Sequence, residues 1–248
     1  MKSAWRIVSR VFACALVCCP WAVSAQGDGP SLPLEGGRAT FLLGGSMGAS
    51  AFSYQRAATA GWLTSAYTVT TPLAPGDSIS TFAGQDRVAF GAKLYAGTWI
   101  TSNLGFEGGL ASLGRIGWSA YSTNTTGSFF ARNAGTVAPH AWYESLLLGF
   151  ESHGMRYFIK AGAYEASTDL EVGSFNDTTG AANSVSEAVH NNGALAGVGI
   201  YTAYGHTGLR LEVEDYMRVG QSSMPLTSPM PPWRGSVVLV SAGVAYVF

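Results

Sequence analysis

Cysteine is nearly absent, and where it occurs it is uninformative about the folded domain. All three cysteines, Cys14, Cys18 and Cys19, lie in the first segment of the chain. Lys2, Arg6 and Arg10 precede the apolar stretch Val11–Val17, and small residues at Val23-Ser24-Ala25 lead to an expected cut between Ala25 and Gln26. The segment therefore reads as a secretory signal peptide, and the mature chain is expected to carry no disulfide and no thiolate metal site. A lipid-anchored cysteine is the competing reading, but neither Cys14 nor Cys19 follows a Leu-Ala-Gly-type box.

Long hydrophobic runs are also missing. The leader's apolar run is too short to span a bilayer, and no later window approaches the roughly 18–20 apolar residues of a transmembrane helix. Charge is scarce, at 12% of residues. Removing residues 1–25 takes three basic and no acidic residues, which leaves 11 Lys+Arg against 15 Asp+Glu and a formal charge of −4. Nucleic acid is an unsuitable partner for such a surface. If the mature chain enters a membrane it must do so as a closed β-barrel, because only helices and barrels satisfy every backbone polar group in hydrocarbon.

The chain is rich in glycine, with 32 residues, and in aromatics, at 12%. After a Gly/Pro-bearing lead-in at 26–37, expected as a periplasmic tail, the sequence divides into eight strand-like runs. These lie at about 38–50, 86–100, 104–121, 139–152, 155–167, 193–204, 207–220 and 236–248. Links of two or three residues, Thr101-Ser102-Asn103, His153-Gly154 and Gly205-His206, alternate with long ones at about 51–85, 122–138, 168–192 and 221–235. Short periplasmic turns and long outer loops are the order of an outer-membrane barrel with both ends in the periplasm.

Alternation inside the runs sets the expected faces. Phe90, Ala92, Leu94, Ala96 and Ile100 share one side of their strand, opposite Arg87, Lys93 and Tyr95. Tyr157, Ile159, Ala161 and Ala163 oppose Arg156 and Lys160; Leu209, Leu211 and Val213 oppose Arg210, Glu212 and Glu214. Apolar residues outside and charges inside are the reverse of a soluble barrel. The run 139–152 is ambiguous, because Glu144 shares its side with Leu146, Leu148 and Phe150. In the last strand Val238, Val240, Ala242, Val244, Tyr246 and Phe248 form an apolar face, with Leu239, Ser241, Gly243 and Ala245 turned inward. Aromatics toward strand ends suggest two interfacial belts: Trp99, Phe106, Tyr157, Tyr204 and Phe248 on the turn side, and Trp118, Tyr121, Trp142, Tyr164, Tyr216 and Trp233 on the loop side.

Motifs for catalysis are weak. Gly44-Gly45-Ser46-Met47-Gly48 matches G-x-S-x-G but lies in a Gly-rich strand rather than a strand-turn-helix elbow. Gly197-Val198-Gly199 opens a dinucleotide fingerprint that Thr202 fails to complete. Of the four histidines, His153 and His206 sit in expected turns. His140 and His190 lie toward the outer end, without an evident serine partner in sequence.

The stretch Gly91–Leu110, GAKLYAGTWITSNLGFEGGL, resembles the second and third strands of the OmpA-like, opacity-type outer-membrane barrel family, with Lys93, Asn103 and Glu107 at the family's strand-Lys, turn-Asn and inward-Glu places. The resemblance continues through Phe158–Gly162, Gly197–Tyr201, Leu209–Glu214 and the closing strand, and so covers most of 86–248. It implies an all-β, eight-stranded antiparallel up-and-down transmembrane β-barrel over 38–248. No catalytic, cofactor or metal residues come with it. A terminal Phe on such a strand resembles the signal read by the barrel-assembly machinery, here Val240, Ala242, Val244, Tyr246 and Phe248. The peptidoglycan-binding domain of some family members is not expected after Phe248, and the first long loop is larger than the resemblance implies.

The expected partners are outer-membrane lipid and lipopolysaccharide, the assembly machinery, and a host or surface ligand at the loops. Lys93, Glu107, Arg156, Lys160, Arg210, Glu212 and Glu214 are the expected lumen charge network. Mixed signs in an interior about wide enough for side chains favour a salt-bridge plug. A narrow ion path is the alternative, and a lipid A-modifying enzyme the third reading.

Overall fold

The computed structural model describes residues 40–221 and 231–248. The expected leader, the cut at Ala25-Gln26, the lead-in 26–37 and residues 222–230 of the proline-bearing loop lie outside the described residues. Among the described residues ten strands and one helix follow in order: β1 (Thr40–Phe52), α1 (Arg56–Thr70), β2 (Ile79–Gln85), β3 (Val88–Trp99), β4 (Leu104–Ser112), β5 (Ile116–Asn124), β6 (Phe130–Ser152), β7 (Met155–Asn176), β8 (Ala181–Tyr204), β9 (Thr207–Gln221) and β10 (Trp233–Val247). No helix among the described residues is long and apolar enough to cross a membrane.

All pairings are antiparallel. β1 lies between β3 and β10, β3 pairs β4, β4 pairs the lower half of β6, and β6 through β10 pair in succession. The circuit therefore returns to β1 and leaves no edge around the lower part of the molecule. β5 pairs the upper half of β6, and β2 pairs β5, so these two strands continue the β3–β4 hairpin above an interruption. The interruption at Leu113-Gly114-Arg115 has a local cause. Gly114 adopts φ 90°, and a Cβ there would meet the Phe90 carbonyl oxygen at 2.5 Å.

Sequence parity sorts the faces of the lower ring. Phe41, Leu43, Met47, Phe90, Leu94, Leu110, Leu146, Leu148, Ile159, Val198, Leu209 and Val244 are exposed, while Lys93, Tyr95, Tyr143, Lys160, Arg210 and Leu239 are buried. An apolar wall thus surrounds a polar interior. The ambiguous run resolves with Glu144 outward beside Leu146 and Leu148, and Tyr143 inward at zero exposure. Arg87, expected inside, is exposed beyond the end of β3.

The two aromatic belts need correction. Phe106, Tyr121, Trp142, Tyr204 and Phe248 are exposed, but Trp99, Trp118, Tyr164, Tyr216 and Trp233 are buried inside. Trp99 has the same parity as Lys93, Tyr164 the same as Lys160, and Tyr216 the same as Glu214, so inward is where a two-residue repeat puts them. Trp118 turns inward because the break at 113–115 shifts the parity between β4 and β5. Trp118, Trp233 and Tyr54 pack together, with ring centroids 5.3 Å and 5.6 Å apart.

The expected long links are largely structured. Residues 168–192 form the outer halves of β7 and β8, registered as far as Asn176↔Ala181, rather than a loop. The first link carries α1, whose Thr59 and Leu63 are buried and whose Trp62 and Tyr67 pack against the aromatic core. The spacing 59, 62, 63, 67 is that of one helix face. Above the ring, β2-β5-β6-β7-β8 form an open sheet. Among the described residues β8 has no strand partner on its second side above Leu195, where its pairing with β9 ends.

Candidate functional site

Six of the seven expected lumen charges meet. Lys93 from β3, Glu107 from β4, Lys160 from β7, and Arg210, Glu212 and Glu214 from β9 are each no more than 5% exposed. Every one of them lies on the inward parity of its strand, and the closed circuit of pairings brings four strands to one level. Lys160 Nζ donates to Glu107 Oε1 at 2.6 Å, and Lys93 Nζ donates to Glu214 Oε2 at 2.9 Å. Lys93 also bonds Glu212, Lys160 bonds Glu214, and Arg210 bonds both Glu107 and Glu212.

Three cations face three carboxylates, and every one of the six carboxylate oxygens has a basic partner. Tyr143 adds a donated hydrogen bond to Glu107 Oε1 at 2.8 Å. Aromatic faces complete the cage: Arg210 lies 4.7 Å over Tyr95 and 4.6 Å over Phe158, and Lys160 lies 4.6 Å over Tyr143. Buried ions in a low-dielectric interior hold together only when paired and hydrogen-bonded in this way.

Arg156 does not join them. It is buried lower down, 4.4 Å over the Trp99 ring, with its guanidinium 3.4 Å from Glu151. The carboxylates of Glu107, Glu212 and Glu214 come within 4.8 Å of one another, close enough to hold a metal ion by distance alone. The donor set does not fit one. Three ammonium and guanidinium groups already occupy the lone pairs, and a divalent ion would be placed against their charge.

The expected assembly residues Val240, Ala242, Val244, Tyr246 and Phe248 lie on the outer side of β10, with Val244, Tyr246 and Phe248 well exposed. Tyr246 stacks on His206 at 5.4 Å and meets Phe248 edge-on at 4.8 Å. Ser46 of the G-x-S-x-G match is buried in the middle of β1, opposite Lys93 and Gly243, with no turn near it. Gly197 and Gly199 lie in β8, where a Cβ on Gly199 would strike the Phe158 ring at 2.3 Å. A Cβ on Gly197 would meet the Val213 carbonyl oxygen at 2.9 Å, so close packing explains the pair without a nucleotide.

One arrangement was invisible in the sequence. Ser112, His140, Ser167 and His190 come from β4, β6, β7 and β8 and stand directly opposite one another in register. His140 therefore has serine neighbours on both sides, 28 and 27 positions away in the chain. Neither hydroxyl hydrogen-bonds its imidazole; His140 Nε2 instead lies 3.8 Å from Asp169 Oδ2. Only strand register reveals such a row.

In the upper sheet Asp77 ties the link before β2 to the β5–β6 turn. Its carboxylate accepts from Asn124 Nδ2 at 2.6 Å, Thr126 Oγ1 at 3.1 Å and the Thr126 amide at 3.3 Å. Partial loss of water at the site raises its pKa, and the hydrogen bonds from Thr126, Thr125 and Asn124 outweigh that, leaving it below the usual value. Arg132 makes a two-pronged pair with Asp177, at 3.0 Å and 2.7 Å, across the top of β6 and the β7–β8 turn.

No protein-family model and no curated protein matches the chain. Among solved structures it is similar to Ail, the attachment invasion locus protein of Yersinia pestis, at 11% identity over 84% of this chain and 99% of that one, with a TM-score of 0.40. It is similar to the outer membrane protein OprG of Pseudomonas aeruginosa at 11% identity, over 85% and 95% of the two chains, with a TM-score of 0.38. The translocator domain of autotransporter NalP from Neisseria meningitidis is matched at 11% identity, over 84% and 86%, with a TM-score of 0.33.

Proposed function

We propose that the chain is an eight-stranded outer-membrane barrel that holds an open sheet above the bilayer for contact with a host or surface ligand, and that it works without catalysis. In this reading β2–β3 and β4–β5 are two interrupted walls, and the barrel consists of β1, these two walls, and β6 through β10. The observation that carries it is the pairing of an apolar outer wall with a closed, neutral cage of six interior charges. An apolar wall needs hydrocarbon to cover it, and a cage with every carboxylate oxygen engaged fixes the barrel's cross-section.

Export through a signal peptide cut after Ala25, recognition of the last strand by the barrel-assembly machinery, and contact with lipopolysaccharide complete the proposal. The upper sheet supports a display role: its β8 edge from Ala181 to about His190, without a strand partner on its outer side among the described residues, offers backbone groups to an extended ligand. The cage argues against the pore reading. Cations and carboxylates from opposite walls bridge the lumen, and conduction requires binding weak enough to release.

The test is direct. In an outer-membrane fraction the protein should show heat-modifiable migration on a gel, and the refolded protein in planar bilayers should give no resolved conductance steps. Recovery as a detergent-free periplasmic monomer overturns the barrel; steady conductance abolished by Glu107→Ala overturns the plug. Lipid A spectra from cells with and without the protein should be identical, and a shift of one acyl chain lost on His140→Ala would make it an enzyme.

A further inference from the structure

We infer that the outer wall carries a binding site for a divalent transition-metal ion, centred on Ser167 and built from His140, His190, Asp169 and Glu165. β7 presents Glu165, Ser167 and Asp169 in alternate positions on one face, and a strand repeats its face every second residue. β6 and β8 flank it, and their residues in register with Ser167 are His140 and His190. The result is a cross: an imidazole to either side, a carboxylate above and one below, and a small hydroxyl-bearing residue at the centre.

The dimensions suit an ion. Neighbouring strands run about 4.8 Å apart, so the two histidine Cα positions lie roughly 10 Å from each other across β7. Only the Ser167 hydroxymethyl group stands between the rings. A larger residue there would fill the space that an ion and its water ligands need. His140 already faces Asp169, with Nε2 3.8 Å from Oδ2 and both side chains 54% exposed. His190 is exposed and makes no hydrogen bond among the described residues, so rotation about its side-chain bonds is enough to bring it over Ser167. His140, His190, Glu165 and Ser167 line one shallow groove of about 820 Å³ on the outside of the wall, together with Trp142 and Ser112, and Asp169 stands beside it through its contact with His140.

Donor chemistry selects the ion class. Two imidazoles with carboxylates suit Zn²⁺, Ni²⁺ or Cu²⁺ rather than Mg²⁺ or Ca²⁺, which prefer all-oxygen sets. No cationic side chain lies among the five residues, in contrast to the interior glutamates. A bound ion ties three adjacent strands together just above Trp142 and keeps coordination positions open to water or an anionic group.

The experiment uses the mature chain refolded in detergent and Zn²⁺ alone, titrated calorimetrically, with Co²⁺ absorption as a second readout of nitrogen ligation. One ion per chain is expected. His140→Ala and His190→Ala should each weaken binding by about tenfold or more, since each removes one of the ligands that define the site. Ser167→Phe, which keeps every ligand but fills the centre, should abolish it. His153→Ala and His206→Ala should change nothing. Heat-modifiable migration checks that each variant is folded, and the Co²⁺ spectrum of the unaltered protein tests the ligand set should a variant fail to fold. Absence of binding, binding unchanged in the His140→Ala/His190→Ala double variant, or binding lost on Glu212→Gln would each overturn the proposal.

Discussion

The lower ring and the upper sheet share the long strands β6, β7 and β8, yet they are held in place by different physics. In the ring the two sides of each strand are chemically opposite: Leu94 and Ile159 face out while Lys93 and Lys160 are buried. A slip of one residue would put ammonium groups on the apolar wall and leucines in the ionic cage, so register is strongly specified. In the upper halves of β7 and β8 Leu170, Val172 and Val189 still pack inward, but the top of β8 is polar or small, as in Ala181-Ala182-Asn183-Ser184, and among the described residues the sheet ends there in an open edge. Position there depends on point tethers such as Arg132–Asp177 and the Asp77 bonds. Closure makes register a property of the whole ring, whereas an edge leaves it to local contacts.

Charge removal should separate the two regions most strongly. Glu212→Ala leaves Lys93 and Arg210 short of a buried partner and should cost about 3–5 kcal/mol, read from the urea midpoint in lipid vesicles. Glu187→Ala, on the exposed upper part of β8, should stay within about 0.5 kcal/mol. Equal losses would erase the contrast.

Charge insertion sharpens it from outside. Leu94→Arg, on the apolar wall at 68% exposure, should destabilise by about 2–4 kcal/mol if hydrocarbon covers that position. Ala182→Arg near the top of β8 should be close to neutral. A tolerated Leu94→Arg in vesicles would place that part of the ring in water.

Leu63→Ala removes the main buried anchor of α1 and should cost about 2 kcal/mol, at the low end for a core leucine because the helix rests on one side only. The loss should be local. Hydrogen exchange should quicken in β2 and β5 while β3, β9 and β10 keep their protection; global loss would mean that α1 supports the ring as well.

The smallest effect is a pH response of the Asp77 tether. Its pKa is lowered in the folded chain, so its contribution is complete above the unfolded value of about 3.9. It disappears as pH falls through the lower, folded value. Protection of the Thr126 amide, its exchange rate relative to the intrinsic rate at the same pH, should be present at neutral pH and lost at strongly acid pH, since the amide donates to Asp77. Asp77→Asn should show weak protection at both, and the exposed position limits the whole effect to the loop.

Much of the ring was legible because one face of each strand had to be apolar and the other polar. Lys93, Lys160, Arg210, Glu212 and Glu214 could be named from alternation, Glu107 from the family resemblance, and the turn at His153-Gly154, with φ 53° and 71°, from its dipeptide. Arg156 has the same parity yet sits lower and takes Glu151 and Trp99 as partners, because parity reports the side of a wall and not the height. The inward aromatics were misread for a related reason. Tyr164 and Tyr216 lie near the ends of the expected runs 155–167 and 207–220, where belts are found, but their parity already pointed inside. α1 and the outer halves of β6 to β8 were hidden in segments whose polarity resembled that of loops. Their apolar positions, such as Leu63 on α1, Leu170 and Val172 on β7 and Val189 on β8, are interspersed with polar residues, and only packing against the aromatic interior shows that they share a covered side.

By itself, then, the sequence determined the two-residue alternation, the order of short turns and long excursions, and the sign of what faces each way. These are local properties, carried by neighbouring residues along a strand. Only the tertiary structure decided which strands meet at one level. The joining of Glu107 to Arg210 from walls 103 positions apart, and the alignment of His140, Ser167 and His190, depend on ladder register. Register is a relation between strands, set by where hairpins turn and where β4 breaks into β5, and no single run of residues contains it.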